Sequence, residues 1–342
     1  MNNYLRDVMS QPESLKKAID YFEEGANARE FERLKKETFS TVIFSGMGSS
    51  NFCAVSASQY LNQNGIVSLV RSTGQFCHFE RGIIGENTLL VLISQSGESA
   101  EIVKLISLLP EGCRVVAVTN DPNSTLAKRG DYCFLMNVEQ EESVTTRTYL
   151  ASILIVNRIA AALLGHKMPN DRQAAQALSY YLENWEEQSR QMASFFQEPA
   201  YLALIGRGGS LASISAGALF LREIVKYPGI EFDAGEFRHG PMEMVEDGFN
   251  GIVFAMEPKT NSLCHKLALD IAERGGRVML ICDKPSGLVH SRLLEIVVGV
   301  VEEKLSPVVS IAPVQLFANL LAEKKGLDVG VFRWGAKITR NE

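Results

Sequence analysis

The chain repeats one residue pattern in its two halves, and this repeat constrains the fold more than any other feature. The segment VIFSGMGSSNFCAVSASQYL, which begins at Val42, aligns without a gap with LALIGRGGSLASISAGALFL, which begins at Leu202. A second pair, RVVAVTND from Arg114 and RVMLICDK from Arg277, follows in the same order at an offset of 163 instead of 160. Two pairs of similar segments in the same order, with a small change of offset between them, indicate a duplicated domain.

Each half alternates short apolar runs with segments of helical length. In the first half the runs STVIFSG, GIVSLVRS, NTLLVLIS and CRVVAVTND are rich in β-branched residues. Strands that alternate with helices predict a parallel sheet covered by helices on both faces. The sequence therefore predicts an α/β protein with two tandem doubly wound parallel-sheet domains, and 342 residues suit two domains of about 150 residues each.

Apolar residues at helical spacing predict further helices at the start and in the middle of the chain. We expect an N-terminal helical leader over residues 1–37 and a connecting helix over 171–197 that holds no glycine or proline. The first domain is then expected over 38–170, and the second domain, with a C-terminal tail, over 198–342.

Composition excludes several classes of protein. Charged residues make up 22% of the chain, the net charge is −6 and the basic residues are scattered, so no nucleic-acid partner is indicated. No apolar run approaches the ~18 residues of a membrane span, and the polar start lacks the apolar core of a signal peptide, which favours a cytoplasmic protein. The six cysteines form no C-x-x-C pair, so we expect reduced, mostly buried thiols. No metal or nicotinamide site is visible.

Two loops of small polar residues follow strands of the first predicted sheet. Loops at the carboxyl ends of parallel strands meet at one edge of the sheet, where free backbone N–H groups and hydroxyls bind anions. The loops SGMGSSN and SQSGES supply the candidate ligands of a phosphate group: Gly48, Ser49, Ser50, Ser94, Gln95, Ser96 and Ser99. No P-loop lysine is present, and Asn51 replaces the third glycine of a dinucleotide motif, so a compact phosphoester is favoured over a nucleotide.

Each loop also has a simpler interpretation, because serine and glycine commonly form turns and helix caps. Two such loops on one sheet favour phosphate binding. Glu98 would repel a phosphate unless its carboxylate points outward on the first helical turn, where it favours the helix dipole. The second half keeps only the first loop pattern, which predicts one phosphate site per chain, in the first domain.

The second half contributes a carboxylate and a histidine. Glu223 lies in the apolar segment FLREIVKY, which suits a general base of raised pKa, although a solvated carboxylate paired with Arg222 or Lys226 is the alternative. His239 follows in AGEFRHGPMEMVE, where it is either an acid/base group or a structural residue of the Gly-Pro turn.

The motifs SGMGSS, ISQSGESAE and GEFRHGPMEMVE together resemble the sugar isomerase (SIS) domain family, a flavodoxin-like fold that binds phosphosugars. The resemblance covers the chain from about residue 40, in the tandem arrangement of the isomerase half of glucosamine-6-phosphate synthases and of fructoselysine-6-phosphate deglycases. It implies that the two loops hold a sugar phosphate and that Glu223 moves a proton between C1 and C2. It also implies that His239 opens the sugar ring for a neighbouring subunit, so a homodimer is expected.

The same resemblance implies a role for Lys337, which matches a lysine that forms an imine with an open-chain ketose, although Lys337 could equally be a solvated tail residue. Two departures from the synthases make amination doubtful: no glutaminase domain precedes the repeat, and Phe220 stands where the synthases have a lysine. The segment Glu-Phe-Arg-His-Gly-Pro is similar to that of the deglycases, which split a 6-phosphorylated sugar from an amine. A deglycase without cofactor is therefore predicted, with an isomerase, a deaminase or a non-catalytic phosphosugar regulator as alternatives.

Overall fold

The computed structural model describes residues 1–196 and 199–334, which form two compact units. The first-sheet unit contains Glu13–Glu141 and Thr145–Arg172. The second-sheet unit contains Met1–Pro12, Glu142–Val144 and Gln173–Phe332, so it is assembled from three separate stretches of chain.

Each unit is built around one five-stranded sheet in which every pairing is parallel. The strands of the first sheet are β1 (Thr41–Gly46), β2 (Val67–Ser72), β3 (Thr88–Ile93), β4 (Arg114–Thr119) and β5 (Tyr132–Leu135). Those of the second are β6 (Leu202–Gly206), β7 (Gly229–Asp233), β8 (Asn250–Ala255), β9 (Arg277–Cys282) and β10 (Leu293–Val297). The order is β2-β1-β3-β4-β5 in one and β10-β9-β8-β6-β7 in the other, which is the same doubly wound topology twice. The predicted fold class is confirmed.

Helices flank both sheets. In the first part of the chain they are α1 (Asn3–Met9), α2 (Gln11–Glu24), α3 (Ala26–Leu34), α4 (Ser49–Phe52), α5 (Val55–Gln63), α6 (Thr73–Gln75), α7 (Ala100–Ser107), α8 (Thr125–Arg129) and α9 (Arg147–Leu163). In the remainder they are α10 (Asp171–Glu183), α11 (Trp185–Phe196), α12 (Ser210–Phe220), α13 (Ala234–Phe237), α14 (Asn261–Glu273), α15 (Ser306–Ser310) and α16 (Ala312–Lys324). Two π-helical segments, Phe76–Glu80 and Leu221–Val225, and three 3-10 turns, Arg81–Ile83, Pro241–Met244 and Glu303–Leu305, complete the described elements.

The leader and the connector differ from the simple helices expected from the sequence. The leader region contains three helices, of which α1 belongs to the second-sheet unit and α3 to the first-sheet unit. Asn27 on α3 pairs through its side-chain amide with both the N–H and the carbonyl of Leu135, and so covers the edge of β5. The single helix expected over 171–197 is two helices, α10 and α11, which meet at Asn184.

The cores follow the apolar runs of the sequence. Central strands such as β3 and β8 are buried along their whole length, as expected for strands covered on both faces. All six cysteines are free thiols, and only Cys133 is partly exposed, which confirms the prediction for them. One described helical stretch, Glu303–Lys324, is long and apolar enough to cross a membrane, contrary to the sequence expectation, but 94% of its apolar window is buried inside the protein.

Candidate functional site

The first sheet has its topological switch point between β1 and β3. At this point Gly46, the last residue of β1, allows the loop after β1 and the end of β3 to approach each other closely. A Cβ atom on Gly46 would lie 2.6 Å from the carbonyl oxygen of Ser50 and 2.9 Å from that of Ile93. Only glycine fits such an approach. The absence of a side chain thus lets the loop after β1 and the end of β3 share one crevice, where ligands bind in folds of this topology.

The loop after β3 is held in shape by its own hydroxyls. Ser94 is buried; its Oγ accepts a hydrogen bond of 3.1 Å from the Gly97 N–H and lies 3.0 Å from the Oγ of Ser99. Ser96 Oγ accepts a hydrogen bond of 3.2 Å from the N–H of Glu98. Three of the four predicted residues in this loop therefore present hydroxyls within a single turn.

The last residue of β4 and the residues that follow it support this turn from outside. The carbonyl of Gln95 accepts hydrogen bonds from the Asn120 N–H (2.9 Å) and the Thr119 hydroxyl (3.2 Å). Gly97 has a φ of +65°, and a Cβ there would lie 2.2 Å from Ser124 Oγ, so the position requires glycine. The loop is consequently a preformed turn.

The loop after β1 places the other three predicted residues. Gly48 has a φ of 52° and lies at the N-terminus of the short helix α4, which contains Ser49 and Ser50. Ser49 is buried and Ser50 is partly exposed. All seven predicted phosphate ligands thus lie on the two loops that flank one switch point, an arrangement whose hydroxyls and backbone N–H groups suit an anion.

Glu98 does not oppose this arrangement. Its carboxylate accepts hydrogen bonds from the N–H and the hydroxyl of Thr125, the first residue of α8. The negative charge therefore interacts with the N-terminus of the neighbouring helix α8 and not, as the sequence predicts, with the first turn of its own helix.

In the second sheet, the corresponding crevice is filled by a carboxylate of the chain itself. Glu257, two residues beyond β8, is 2% exposed. Its Oε1 accepts hydrogen bonds of 2.7 Å from both the N–H and the Oγ of Ser210, the first residue of α12. The N-terminus of α12 is thus engaged by a carboxylate of the chain itself, which is consistent with the expectation that the phosphate site lies in the first domain. Glu257 is not among the residues predicted from the sequence, although a carboxylate directly after an apolar strand is a signal that the sequence contains.

Burial raises the pKa of Glu257 to about 7, against the opposing effect of the Ser210 hydrogen bonds. Because this pKa lies above that of an unfolded glutamate, about 4.3, the folded protein holds the proton more tightly, and stability falls as the pH rises from about 4 to about 7. Glu257→Gln keeps an oxygen acceptor for Ser210 but cannot ionise. Relative to wild type, its free energy of unfolding should rise by roughly 2–3 kcal/mol between pH 5 and pH 8 in urea denaturation.

The exposed Glu273 provides the matched control, since Glu273→Gln removes a carboxylate that faces solvent on α14. A pH-dependent difference from wild type that Glu257→Gln shows and Glu273→Gln does not show is then specific to Glu257. An equal difference between wild type and Glu257→Gln at both pH values would contradict the raised pKa of Glu257.

Glu223 lies in the π-helical segment Leu221–Val225 that continues α12. The carboxyl group is partly buried, and burial raises its pKa to about 7, with Lys226 acting in the opposite direction. Arg222, the other expected partner, pairs instead with Glu231 at 2.9 Å. A carboxyl group with a pKa near 7 both accepts and donates a proton readily at neutral pH, as a general base requires.

His239 lies at an exposed turn of the second-sheet unit. Asp233 caps the preceding helix α13 through its side chain, and the His239 N–H donates to the carbonyl of Glu236 at 2.9 Å. Gly240 has a φ of +126°, and a 3-10 turn begins at Pro241. The Gly-Pro turn expected from the sequence is present, and it leaves the His239 side chain at the surface.

The predicted site residues are divided between the units. The seven candidate phosphate ligands belong to the first-sheet unit, whereas Glu223 and His239 belong to the second-sheet unit. Lys337 lies outside the described residues. Arg238, which precedes the histidine, forms an ion pair with Asp270 at 2.7 Å and so has a structural role in this region.

Comparison with curated proteins finds relatives over nearly the whole chain. The glutamine–fructose-6-phosphate aminotransferase [isomerizing] of Thermococcus kodakarensis is 28% identical over 345 residues, which cover 95% of this chain and 55% of that protein. The enzyme of the same name from Escherichia coli K12 is 26% identical over 349 residues, with 95% and 56% covered. The chain thus spans about half the length of these relatives.

Solved structures share the fold. The C-terminal domain of glucosamine-fructose-6-phosphate aminotransferase from Francisella tularensis has a TM-score of 0.85 at 20% identity, with 96% of this chain and 97% of that chain covered. Glucosamine-6-phosphate deaminase from Thermotoga maritima has a TM-score of 0.80 at 18% identity, with 98% and 99% covered. Tagatose-6-phosphate ketose/aldose isomerase from Escherichia coli has a TM-score of 0.79 at 18% identity, with 97% of each covered.

The family comparison agrees with the two sheets and with the two repeated segment pairs of the sequence. The model of the SIS domain matches residues 38–162 and again residues 195–322, so each match spans one parallel sheet. The chain belongs to the SIS domain family, with two SIS domains in tandem.

Proposed function

We propose that this SIS protein is a phosphosugar-processing enzyme, specifically a deglycase that cleaves a 6-phosphorylated Amadori-type sugar amine into a sugar 6-phosphate and the free amine. The observation that carries the proposal is the partly buried carboxyl group of Glu223, whose pKa of about 7 suits proton transfer at neutral pH. The preformed, hydroxyl-lined loops of the first sheet support the phosphate-binding part of the proposal.

The proposed reaction needs only acid/base steps. His239 opens the ring of the substrate, which gives a ketone at C2 and a carbon at C1 that bears the amine. Glu223 takes a proton from C1, the electron pair of that C–H bond forms a C1–C2 double bond, and the C2 carbonyl oxygen is protonated, which gives an enaminol. The protonated Glu223 then returns its proton to C2 while the nitrogen lone pair forms the C1–N double bond. The nitrogen loses its N–H proton, which balances the proton gained by the C2 oxygen. The product is an imine between C1 and the amine. Water adds to C1 and the C–N bond breaks, which releases the amine and an aldose 6-phosphate.

The relatives support the substrate class. Their names refer to fructose 6-phosphate, glucosamine 6-phosphate and tagatose 6-phosphate, which are all hexose 6-phosphates. The segment at His239 and the presence of Phe220 favour a deglycase over an amination reaction. A phosphosugar isomerase or an amino-sugar-phosphate deaminase is the second candidate, favoured by the two structural neighbours of those names. A non-catalytic phosphosugar regulator would have no use for a base such as Glu223.

A substrate panel tests the proposal. The protein is incubated with 6-phosphorylated Amadori and Heyns compounds of several amino acids, with glucosamine 6-phosphate, and with fructose and tagatose 6-phosphates. Free amino acid and aldose 6-phosphate in equal amounts would support the deglycase. Interconversion of unsubstituted hexose phosphates, or ammonia from glucosamine 6-phosphate, would replace it with the second candidate. Binding of phosphosugars without turnover of any compound would contradict the proposal that the protein is an enzyme.

Three sequence-based expectations remain part of this proposal. Imine formation by Lys337, donation of His239 to a neighbouring subunit of a homodimer, and a cytoplasmic location all derive from the family resemblance or from composition. The acid/base steps given above do not require Lys337, because water alone completes the cleavage.

A further inference from the structure

Three stretches of the second-sheet unit that are far apart in sequence meet close to Glu223. The first is α1, whose Tyr4 is completely buried. The hydroxyl of Tyr4 donates to the carbonyl of Gln315 on α16 at 3.2 Å, and α16 also packs against the π-helical segment that carries Glu223. Helix α1 therefore belongs to the surroundings of the base, although about 220 residues separate them in sequence.

The other two stretches are the segment Glu142–Val144 and the chain around Gly330. Ser143 Oγ donates to the carbonyl of Gly330 at 3.2 Å. Gly330 has a φ of +82°, and a Cβ built there would lie 1.8 Å from Ser143 Oγ and 3.5 Å from the Cβ of Tyr4. The three stretches are thus in direct contact, and Gly330 has no room for a side chain.

Lys226 connects this junction to the base. Its ammonium group donates to the carbonyl of Glu223, in the turn that carries the base, and to the carbonyl of Val331 at 2.8 Å. Lys226 has a left-handed φ of 57°, a conformation that a lysine adopts only at a cost and that is concentrated at functional sites. The cation therefore fixes the turn of Glu223 to the segment beside Tyr4.

The charges around Glu223 act in opposite directions. Lys226 lowers the pKa of Glu223, whereas burial, the larger effect, raises it. The pKa of Tyr4 is raised by burial, then by the charge of Glu223 and then by that of Asp7. Other ionisable groups of this region are engaged elsewhere: Arg222 with Glu231, and Lys325 over the ring of Tyr227.

We propose that Lys226 and Tyr4 are positioning residues for Glu223: Lys226 holds the turn of the base against the segment at Val331, and Tyr4 on α1 shields the base from water. This inference rests on the proposed role of Glu223 as the base. Neither residue touches the reacting atoms. Their effects on the base are opposite, because Lys226 favours its anion and Tyr4 favours its neutral form.

The test compares Lys226→Gln, Lys226→Arg, Tyr4→Ala and Tyr4→Phe. Lys226→Gln should move the acid limb of the kcat/KM profile to higher pH and lower kcat/KM at pH 6 by roughly 3- to 10-fold more than at pH 9. Tyr4→Ala, which admits water, should move the limb to lower pH. The conservative variants Lys226→Arg and Tyr4→Phe should keep the wild-type limb. Lys325→Gln removes an equal charge nearby and should also keep it.

A second readout does not depend on turnover. In substrate-free protein labelled with ¹³C at the glutamate carboxyl carbons, the resonance absent from Glu223→Gln reports the titration of Glu223. Its midpoint should rise in Lys226→Gln and fall in Tyr4→Ala.

A uniform loss of kcat/KM at every pH with an unmoved midpoint would assign a purely structural role to both residues and overturn the inference. If Tyr4→Ala does not fold, the titration midpoint of Glu223 in Lys226→Gln decides the test. A raised midpoint supports the inference, and an unmoved midpoint overturns it. Full turnover in Glu223→Gln would overturn the proposed function separately, since the titration midpoints are measured without substrate.

Discussion

Glu223→Gln should lower kcat by roughly 10²- to 10⁴-fold, the usual contribution of a general acid/base group, and leave phosphosugar affinity within about threefold of wild type. Glutamine has nearly the shape of glutamate but cannot take the proton from C1. The phosphate ligands proposed for the first-sheet unit are unchanged, so binding should persist. Steady-state kinetics and calorimetric titration with a hexose 6-phosphate measure the two quantities.

The control for this variant is Glu231→Gln, on β7, whose carboxylate pairs with Arg222 at the surface. It should keep kcat within about threefold of wild type, because surface ion pairs contribute little. In wild type, the pKa of about 7 for Glu223 predicts that kcat/KM falls as the pH drops below about 7, since the base becomes protonated. Retention of wild-type kcat by Glu223→Gln would remove Glu223 from the reaction.

Ser96→Asp should weaken phosphosugar binding by roughly 100-fold or more, because it places a carboxylate in the proposed phosphate site and removes a hydroxyl donor. The new carboxylate can still accept the hydrogen bond from the Glu98 N–H that the serine hydroxyl accepts at 3.2 Å, so the loop should keep its shape. Calorimetric titration with a hexose 6-phosphate and with inorganic phosphate measures the loss.

Glu98→Gln is the matched control two residues away. Its carboxylate is engaged with Thr125 on α8, so its neutralisation should change affinity by less than about threefold. Equal losses in both variants would indicate general damage to the loop, and unchanged affinity in Ser96→Asp would place the phosphate elsewhere.

The fold was predictable because its signals are local and repeated. Each strand is a short apolar run, and the doubled Gly-x-Gly-x-Ser pattern indicates that the same supersecondary unit occurs twice. The two polar loops were predictable for the same reason: a loop that follows a parallel strand lies at a known edge of the sheet. The conformations of Gly46 and Gly97 required the structure, since they depend on contacts with Ser50 and Ser124.

Features that depend on distant residues were not predictable. The amphipathic pattern of α1 does not reveal that its partner is α16, and a pattern continuous from 170 to 197 does not show a break at Asn184. A π-helical turn has i to i+5 hydrogen bonds, so regular α-helical spacing does not predict the positions of the residues after Phe220. The sequence suggests Lys226 only as an ion-pair partner of Glu223, because its hydrogen bond to the carbonyl of Val331 spans 105 residues.

The discontinuous second-sheet unit has a consequence for folding during synthesis. Helix α1 leaves the ribosome about 300 residues before α16, which at 5–20 residues per second is a delay of roughly 15–60 s. Tyr4, Leu5 and Val8, which are buried in the finished protein, must wait for that time without their final partner. The main stretches of the first-sheet unit are complete once Arg172 has emerged. The second-sheet unit is therefore completed by segments whose synthesis is separated by about 300 residues.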